Sequence, residues 1–196
     1  MNKAHMEFCP SEDWRRMLEE LVFPPALDGV DLGDDVLEIG PGPGFVTDTL
    51  KERAAHVTAV EIDPVLYEPL AERMAGTNVD VILGDASALD LPDDRFSAGI
   101  SFNMLHHVPT AELQDQILSE LARVLRPAAV LVVVDGTEHT SSAEFHAGDT
   151  LNPIETADIG PRLEAAGFSD VRTREFDLGW IVTATAGSGE GALPNR

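Results

Sequence analysis

The chain has 196 residues, 43% of them apolar and 24% charged, which is enough for one domain with a core of its own. Its 13 Lys and Arg face 35 Asp and Glu. The resulting formal charge of -22 opposes a phosphate-backbone partner, and no basic run exceeds Arg15-Arg16. No stretch is long and apolar enough for a membrane span, and "MNKAHMEFCP" lacks the apolar centre of a secretion signal. The single cysteine, Cys9, excludes an internal disulfide, so a soluble, cytoplasmic protein without a membrane partner is expected.

In chain order, Trp14, Met17, Leu18, Leu21 and Val22 fall at helical spacing behind Ser11 as a cap, and Pro24-Pro25 should end that helix. "DVLEI" (35–39) reads as a buried strand, "FVTDTLKERA" (45–54) as a helix and "VTAVEI" (57–62) as a second strand. A helix over 64–75 opens on Pro64, with Pro69 inside it. "VDVIL" (79–83) and "FSAGISF" (96–102) are the third and fourth strands. The amphipathic run 110–125 predicts a helix ended by Pro127, followed by the most apolar strand, "AVLVVVD" (129–135). A helix over 152–166 stops at Gly167, and two strands then meet through "DLG", too short for a crossover, so they must be antiparallel.

This alternation predicts an α/β, Rossmann-like, doubly wound sheet of seven strands, mostly parallel with an antiparallel C-terminal hairpin. Residues 1–29 are expected to form a helical lid, 30–186 the domain proper, and 187–196 a disordered tail. The long irregular stretch 136–154 is a candidate wall of the site.

In such sheets the ligand sits beyond the carboxyl ends of the strands, where "GPGPGF" follows the first strand. The loop fails the dinucleotide spacing, since the third glycine position holds Phe45 or Thr47, and it fails the P-loop pattern, since no Lys follows. Pro41 and Pro43 have no N–H, so the loop is a poor phosphate cradle. The acids at successive strand ends, Glu38, Glu61 and Asp85, are expected to point into one crevice. They suit a ligand with an ammonium group, a ribose diol, an adenine amine and a sulfonium.

Over about residues 30–186 the chain resembles the class I S-adenosylmethionine-dependent methyltransferases, in their small-molecule, type 11-like branch. "VLEIGPGPG" is similar to their E-x-G-x-G-x-G loop, "VTAVEID" to their second strand, and "GDASALDLPDDRFS" to their adenine segment. "ISFNMLHHVP", "LARVLRPAAVLVVVD" and "LEAAGFSDV" follow the same pattern, with Ala128-Ala129 where glycines are usual. The resemblance implies S-adenosyl-L-methionine as cofactor, held by Glu38, Gly40, Gly42, Gly44, Glu61, Ile62, Asp85, Ala86 and Asn103.

The first half also resembles the rRNA adenine dimethyltransferases. Their Asn-Leu/Ile-Pro-Tyr is here Asn103-Met104-Leu105-His106, lacking both proline and aromatic, and the charge is wrong for RNA. The expectation is therefore a small-molecule methyl acceptor and no nucleic acid. An rRNA or nucleic-acid adenine methyltransferase, a non-catalytic cofactor-binding module and a nicotinamide oxidoreductase are the alternatives. His106 and His107, leaving the fourth strand, are the candidate general bases. Neighbours on an extended chain point to opposite sides, so one is expected to face the cofactor. His107 is preferred because it lies nearer Pro109, which should turn the chain across the pocket mouth. His139 and His146 with Asp135 and Asp149 have irregular spacing, so no metal is expected.

Overall fold

A computed structural model describes residues 2, 7–141 and 143–187; the expected tail beyond residue 187 and most of the first six residues of the expected lid lie outside that range. The elements are α1 (Glu12–Met17), a π-helical turn (Leu18–Val22), α2 (Phe23–Leu27), β1 (Asp35–Ile39), α3 (Phe45–Leu50), β2 (His56–Glu61), α4 (Pro64–Met74), β3 (Val79–Leu83) and β4 (Phe96–Phe102). A 3₁₀ turn (Leu105–His107), α5 (Ala111–Val124), β5 (Leu125–Asp135), α6 (Thr156–Ala166), β6 (Phe168–Phe176) and β7 (Gly179–Ala186) complete them.

The seven strands form one sheet in the order β3-β2-β1-β4-β5-β7-β6. Strands β1 to β5 pair in parallel, and β6 and β7 form the expected antiparallel hairpin, which joins the sheet through β7 antiparallel to β5. Side chains alternate across the sheet, because strand residues point to opposite faces. Leu37, Leu131 and Val133 face one core layer, under α5 and α6, with Leu118, Leu121 and Trp180. Val36, Val132 and Val134 face the other, with Leu27, Leu50 and Met74 from α2, α3 and α4. Trp180 is fully buried, and its indole N–H donates to the Ile154 carbonyl at 2.7 Å, so no polar group is stranded there.

The sheet's winding reverses between β1 and β4. One crossover leaves β1 for β2 and the other returns from β3 to β4, so a crevice opens at their carboxyl ends. The N-terminal segment reaches that crevice from a firm base. Leu18, Val22, Phe23, Ala26 and Leu27 are buried in the second core layer, and Trp14 packs on its edge.

Four expected boundaries move. Pro24 and Pro25 do not end the helix: they occupy the first turn of α2, where a missing N–H costs nothing, and the π turn carries the chain into it. Helix α3 stops at Leu50, not Ala54. Strand β5 begins at Leu125 and runs through Pro127, where its pairing with β4 shifts register between Phe96 and Ala98. Helix α6 starts at Thr156, because Asn152 is drawn out of helical geometry: its N–H donates to the His106 carbonyl and its side chain to the Val108 carbonyl.

Ala128 adopts φ 66°, a left-handed conformation that a Cβ disfavours. Glycine there relieves this while adding chain entropy to the unfolded state. Ala128→Gly should therefore stabilise the fold by about 0.5–1 kcal/mol, read as a higher urea midpoint at unchanged slope.

Candidate functional site

The loop after β1 is built on left-handed glycines at Gly40, Gly42 and Gly44, with φ of 67°, 55° and 83°. Each has a different reason to lack a side chain. A Cβ on Gly40 would run into the Met104 side chain, and one on Gly44 into Leu70 and Arg73. At Gly42 a Cβ would meet nothing within 4 Å, because it would project into open space. The Gly44 N–H closes the turn on the Pro41 carbonyl at 2.9 Å. Glu61, at the end of β2, holds the loop from the side: its carboxylate accepts the Gly42 N–H at 3.0 Å and the Asp63 N–H at 2.9 Å. Burial raises the Glu61 carboxyl above its usual range, against the lowering effect of those backbone donors.

Around this loop lies a cavity of about 440 Å³. Of the residues expected at a cofactor site, Gly40, Gly42, Glu61, Ile62, Asp85, Ala86 and Asn103 line it, and so does His107. Asn103 takes φ 53° and turns the chain across the end of β4, a conformation asparagine tolerates better than most residues. Asp85 is exposed at the rim and accepts the Ser87 N–H and hydroxyl at 2.8 and 2.7 Å.

Three expected residues lie elsewhere. Glu38 does not point into the crevice: it is only 2% exposed, beneath the loop, and accepts the Thr47 hydroxyl at 2.6 Å, tying α3 to β1. Burial pushes its carboxyl up to about 8, so it is mostly neutral at neutral pH. Gly44 caps α3 and makes room for Leu70 and Arg73 instead of lining the cavity. His106 is buried behind the cavity, where its Nδ1 bonds the Asp135 carboxylate. The two adjacent histidines are not on opposite sides of an extended chain. The 3₁₀ turn brings their rings into contact at a tilt of 46°, with centroids 4.1 Å apart.

The outer wall comes from residues without a sequence motif. Cys9, Trp14 and Leu18 line it from the N-terminal segment, and Asp149 from the irregular stretch. Asn2 clasps the two: its N–H donates to Asp149 Oδ2 at 2.9 Å and its side chain to the Phe145 carbonyl at 2.9 Å. Phe8 stands edge-on to Phe145, with centroids 5.6 Å apart. Burial, with a further contribution from Asp149, pushes the Cys9 thiol up to about 11, so it is no nucleophile at neutral pH. The sequence signals for this wall are the irregularity of 136–154 and the helical spacing of the expected N-terminal lid.

Asp135 is 1% exposed at the end of β5 and orients His106 from two sides, since it also accepts the His106 N–H at 3.2 Å and the Gly136 N–H at 2.7 Å. Burial lowers the His106 pKa, but the charge and hydrogen bond of Asp135 outweigh it, and the net shift is upward. His107 Nδ1 lies 3.3 Å from the Thr150 carbonyl. His139 is exposed, apart from this group.

The donor set fits S-adenosylmethionine. Each Glu61 oxygen keeps a lone pair for a ribose diol, Asp85 stands at the rim for an amine, and apolar Ile62, Ala86 and Leu113 offer faces for a flat base. The open space over Gly42 is where a ligand can approach the backbone.

Residues 36–128 match the family model of a methyltransferase domain. A "Probable S-adenosylmethionine-dependent methyltransferase" of Mycolicibacterium smegmatis is 33% identical over 142 residues, 69% of this chain and 52% of that protein. A "Probable ribosomal RNA small subunit methyltransferase A" of Methanothermobacter thermautotrophicus is 39% identical over 102 residues, 46% of this chain and 37% of that protein. The chain thus spans about half or less of the length of these curated relatives. In fold it is similar to the crystal structure of a Pyrococcus horikoshii protein, with a TM-score of 0.77 at 16% identity, covering 96% of this chain and 100% of that one.

Two outcomes follow from this geometry. Gly42→Val should fold yet lose cofactor binding in calorimetry, because its side chain fills the open space over the loop. Glu38 carries a proton in the folded protein up to about pH 8, whereas the unfolded chain releases it near its ordinary value, so its contribution to stability is full at acid pH and is lost as pH rises toward 8. Glu38→Gln should therefore match the wild type in thermal midpoint near pH 4 and gain on it steadily toward pH 8.

Proposed function

We propose that this chain, which belongs to the class I S-adenosylmethionine-dependent methyltransferases, transfers a methyl group to a small, largely apolar acceptor. The observation that carries the reading is the make-up of the outer wall. Trp14, Leu18, Val108 and Pro109 close the cavity above the glycine loop, and Cys9, His107 and Asp149 are the polar groups of that wall. Such a cavity desolvates and aligns a small apolar molecule that carries one reactive heteroatom.

When bound, the cofactor supplies an electrophilic methyl on a sulfonium. The protein's contribution is alignment and proton management. Glu61 and Asp85 fix the ribose and base ends, and the loop glycines admit the sulfonium end against the backbone. His107, facing the cavity with Nδ1 directed at the Thr150 carbonyl, presents Nε2 as the atom that takes the proton of a hydroxyl or ammonium acceptor. His106 is held away from the cavity by Asp135 and packs against the His107 ring at a tilt. The N-terminal segment acts as a fixed lid, since Asn2 and Phe8 clasp the 145–149 stretch.

An rRNA acceptor is the second reading, supported by the name of the Methanothermobacter relative. The formal charge of -22 and the absence of proline and aromatic from Asn103-Met104-Leu105-His106 weigh against it.

The test is a screen with labelled methyl donor against apolar hydroxyl, amine, thiol and carboxyl compounds, with small-subunit rRNA beside them. Label on a small acceptor supports the proposal; label on RNA alone overturns it. With the acceptor found, His107→Ala should lower turnover by about 10²–10⁴ at nearly unchanged cofactor affinity, and the fall of wild-type rate at low pH should vanish in the variant.

A further inference from the structure

Three imidazoles meet beside the cavity. One ring nitrogen from each of His106, His107 and His146 lies within 4.8 Å of the other two. The His106–His146 and His107–His146 ring centroids are 5.2 and 5.5 Å apart. His106 and His146 are each only 7% exposed, and His107 reaches the cavity.

Two of the rings are oriented from outside the cluster. His106 Nδ1 bonds the buried Asp135 carboxylate, and His107 Nδ1 faces the Thr150 carbonyl at 3.3 Å. With Nδ1 as the donor in both, Nε2 carries the lone pair in both. A carboxylate or carbonyl behind an imidazole is the arrangement that fixes tautomer and direction in metal-ligating histidines. A tetrahedral ion with Zn–N near 2.0–2.1 Å needs nitrogens about 3.3 Å apart, so the rings must close by at most about 1.5 Å. Rotation of the His146 side chain, on the irregular 136–154 stretch, can supply much of that movement.

We propose that His106, His107 and His146 bind one divalent d-block cation of the zinc class, leaving a fourth position open toward the cavity. Three neutral nitrogen donors suit zinc, cobalt, nickel or copper, whereas magnesium and calcium require oxygen ligands. Three protein ligands with one open position is the pattern of ions that take a small molecule as fourth ligand. Asp135 is a positioning residue in this scheme, acting through His106. The proposal goes beyond the methyl-transfer reading and does not rest on it. A ring nitrogen has one lone pair, so His107 serves as base in the metal-free protein and as ligand in the loaded one.

The test uses the full chain without an affinity tag, stripped with chelator and dialysed. Calorimetric titration with Zn²⁺ should show saturable binding of one equivalent, and Co²⁺ should give the visible absorption of a low-coordinate nitrogen site. His146→Ala and His107→Gln should each weaken binding at least about tenfold, with Asp135→Asn weakening it less. Circular dichroism checks that each variant folds; His107→Gln, at a half-buried site, keeps the test valid if His146→Ala does not fold. No saturable binding by the stripped wild-type protein, or binding unchanged in His107→Gln, overturns the proposal. S-adenosylmethionine binding is measured on the same stripped protein. Cofactor binding without metal binding rejects the metal site alone, and metal binding without cofactor binding supports it while rejecting the methyltransferase reading.

Discussion

The Glu61 carboxylate is the tie on which the site depends. It sits at the end of β2 and reaches sideways to the Gly42 and Asp63 N–H groups, so one side chain fixes the loop after β1 and the turn into α4. A loop of alternating glycine and proline has few backbone donors, and Pro41 and Pro43 contribute none. Without an acceptor for the Gly42 N–H, a left-handed glycine would leave that donor to solvent and the loop would lose its position. The same carboxylate keeps free lone pairs, so the group that positions the loop also lines the cavity.

Beneath the loop, Glu38 acts in the opposite electrical sense. Buried and near Glu61 and Asp48, it stays mostly neutral and bonds Thr47, which anchors α3 under the loop. One carboxyl thus serves the cavity and the other serves packing, and the difference follows from β-strand geometry and depth. The Arg73 guanidinium completes the arrangement from α4, donating to Asp48 at 2.6 Å and to the Pro43 carbonyl at 2.7 Å. Loop, α3 and α4 are cross-linked by these contacts, so the crevice is formed before any ligand arrives.

The far side of the cavity follows another logic. Its members come from the N-terminal segment, the 3₁₀ turn after β4 and the stretch after β5, which the fold brings together at the carboxyl end of the sheet. The left-handed Asn103 and the short turn after it put His106 and His107 side by side, and the 145–149 stretch, held by Asn2, lays His146 against them. Asp135, buried at the end of β5, then selects the orientation of His106.

The period-two and period-3.6 patterns, the glycine loop and the short "DLG" link determined the strands, the helices, the antiparallel hairpin and seven of the nine expected cofactor positions that line the cavity. These are local signals: apolar alternation, turn chemistry and loop length act over a few residues. Tertiary structure alone decided that Glu38 and Gly44 serve packing, because whether a strand-end acid meets ligand or core depends on which helix covers it. It also decided that Pro24, Pro25 and Pro127 lie within elements and do not terminate them, since each finds a position where its missing N–H is not needed. The histidine cluster was illegible for the same reason. His146 stands forty residues from His106 in the sequence, and only the return of the chain from β5 across the end of β4 closes that gap.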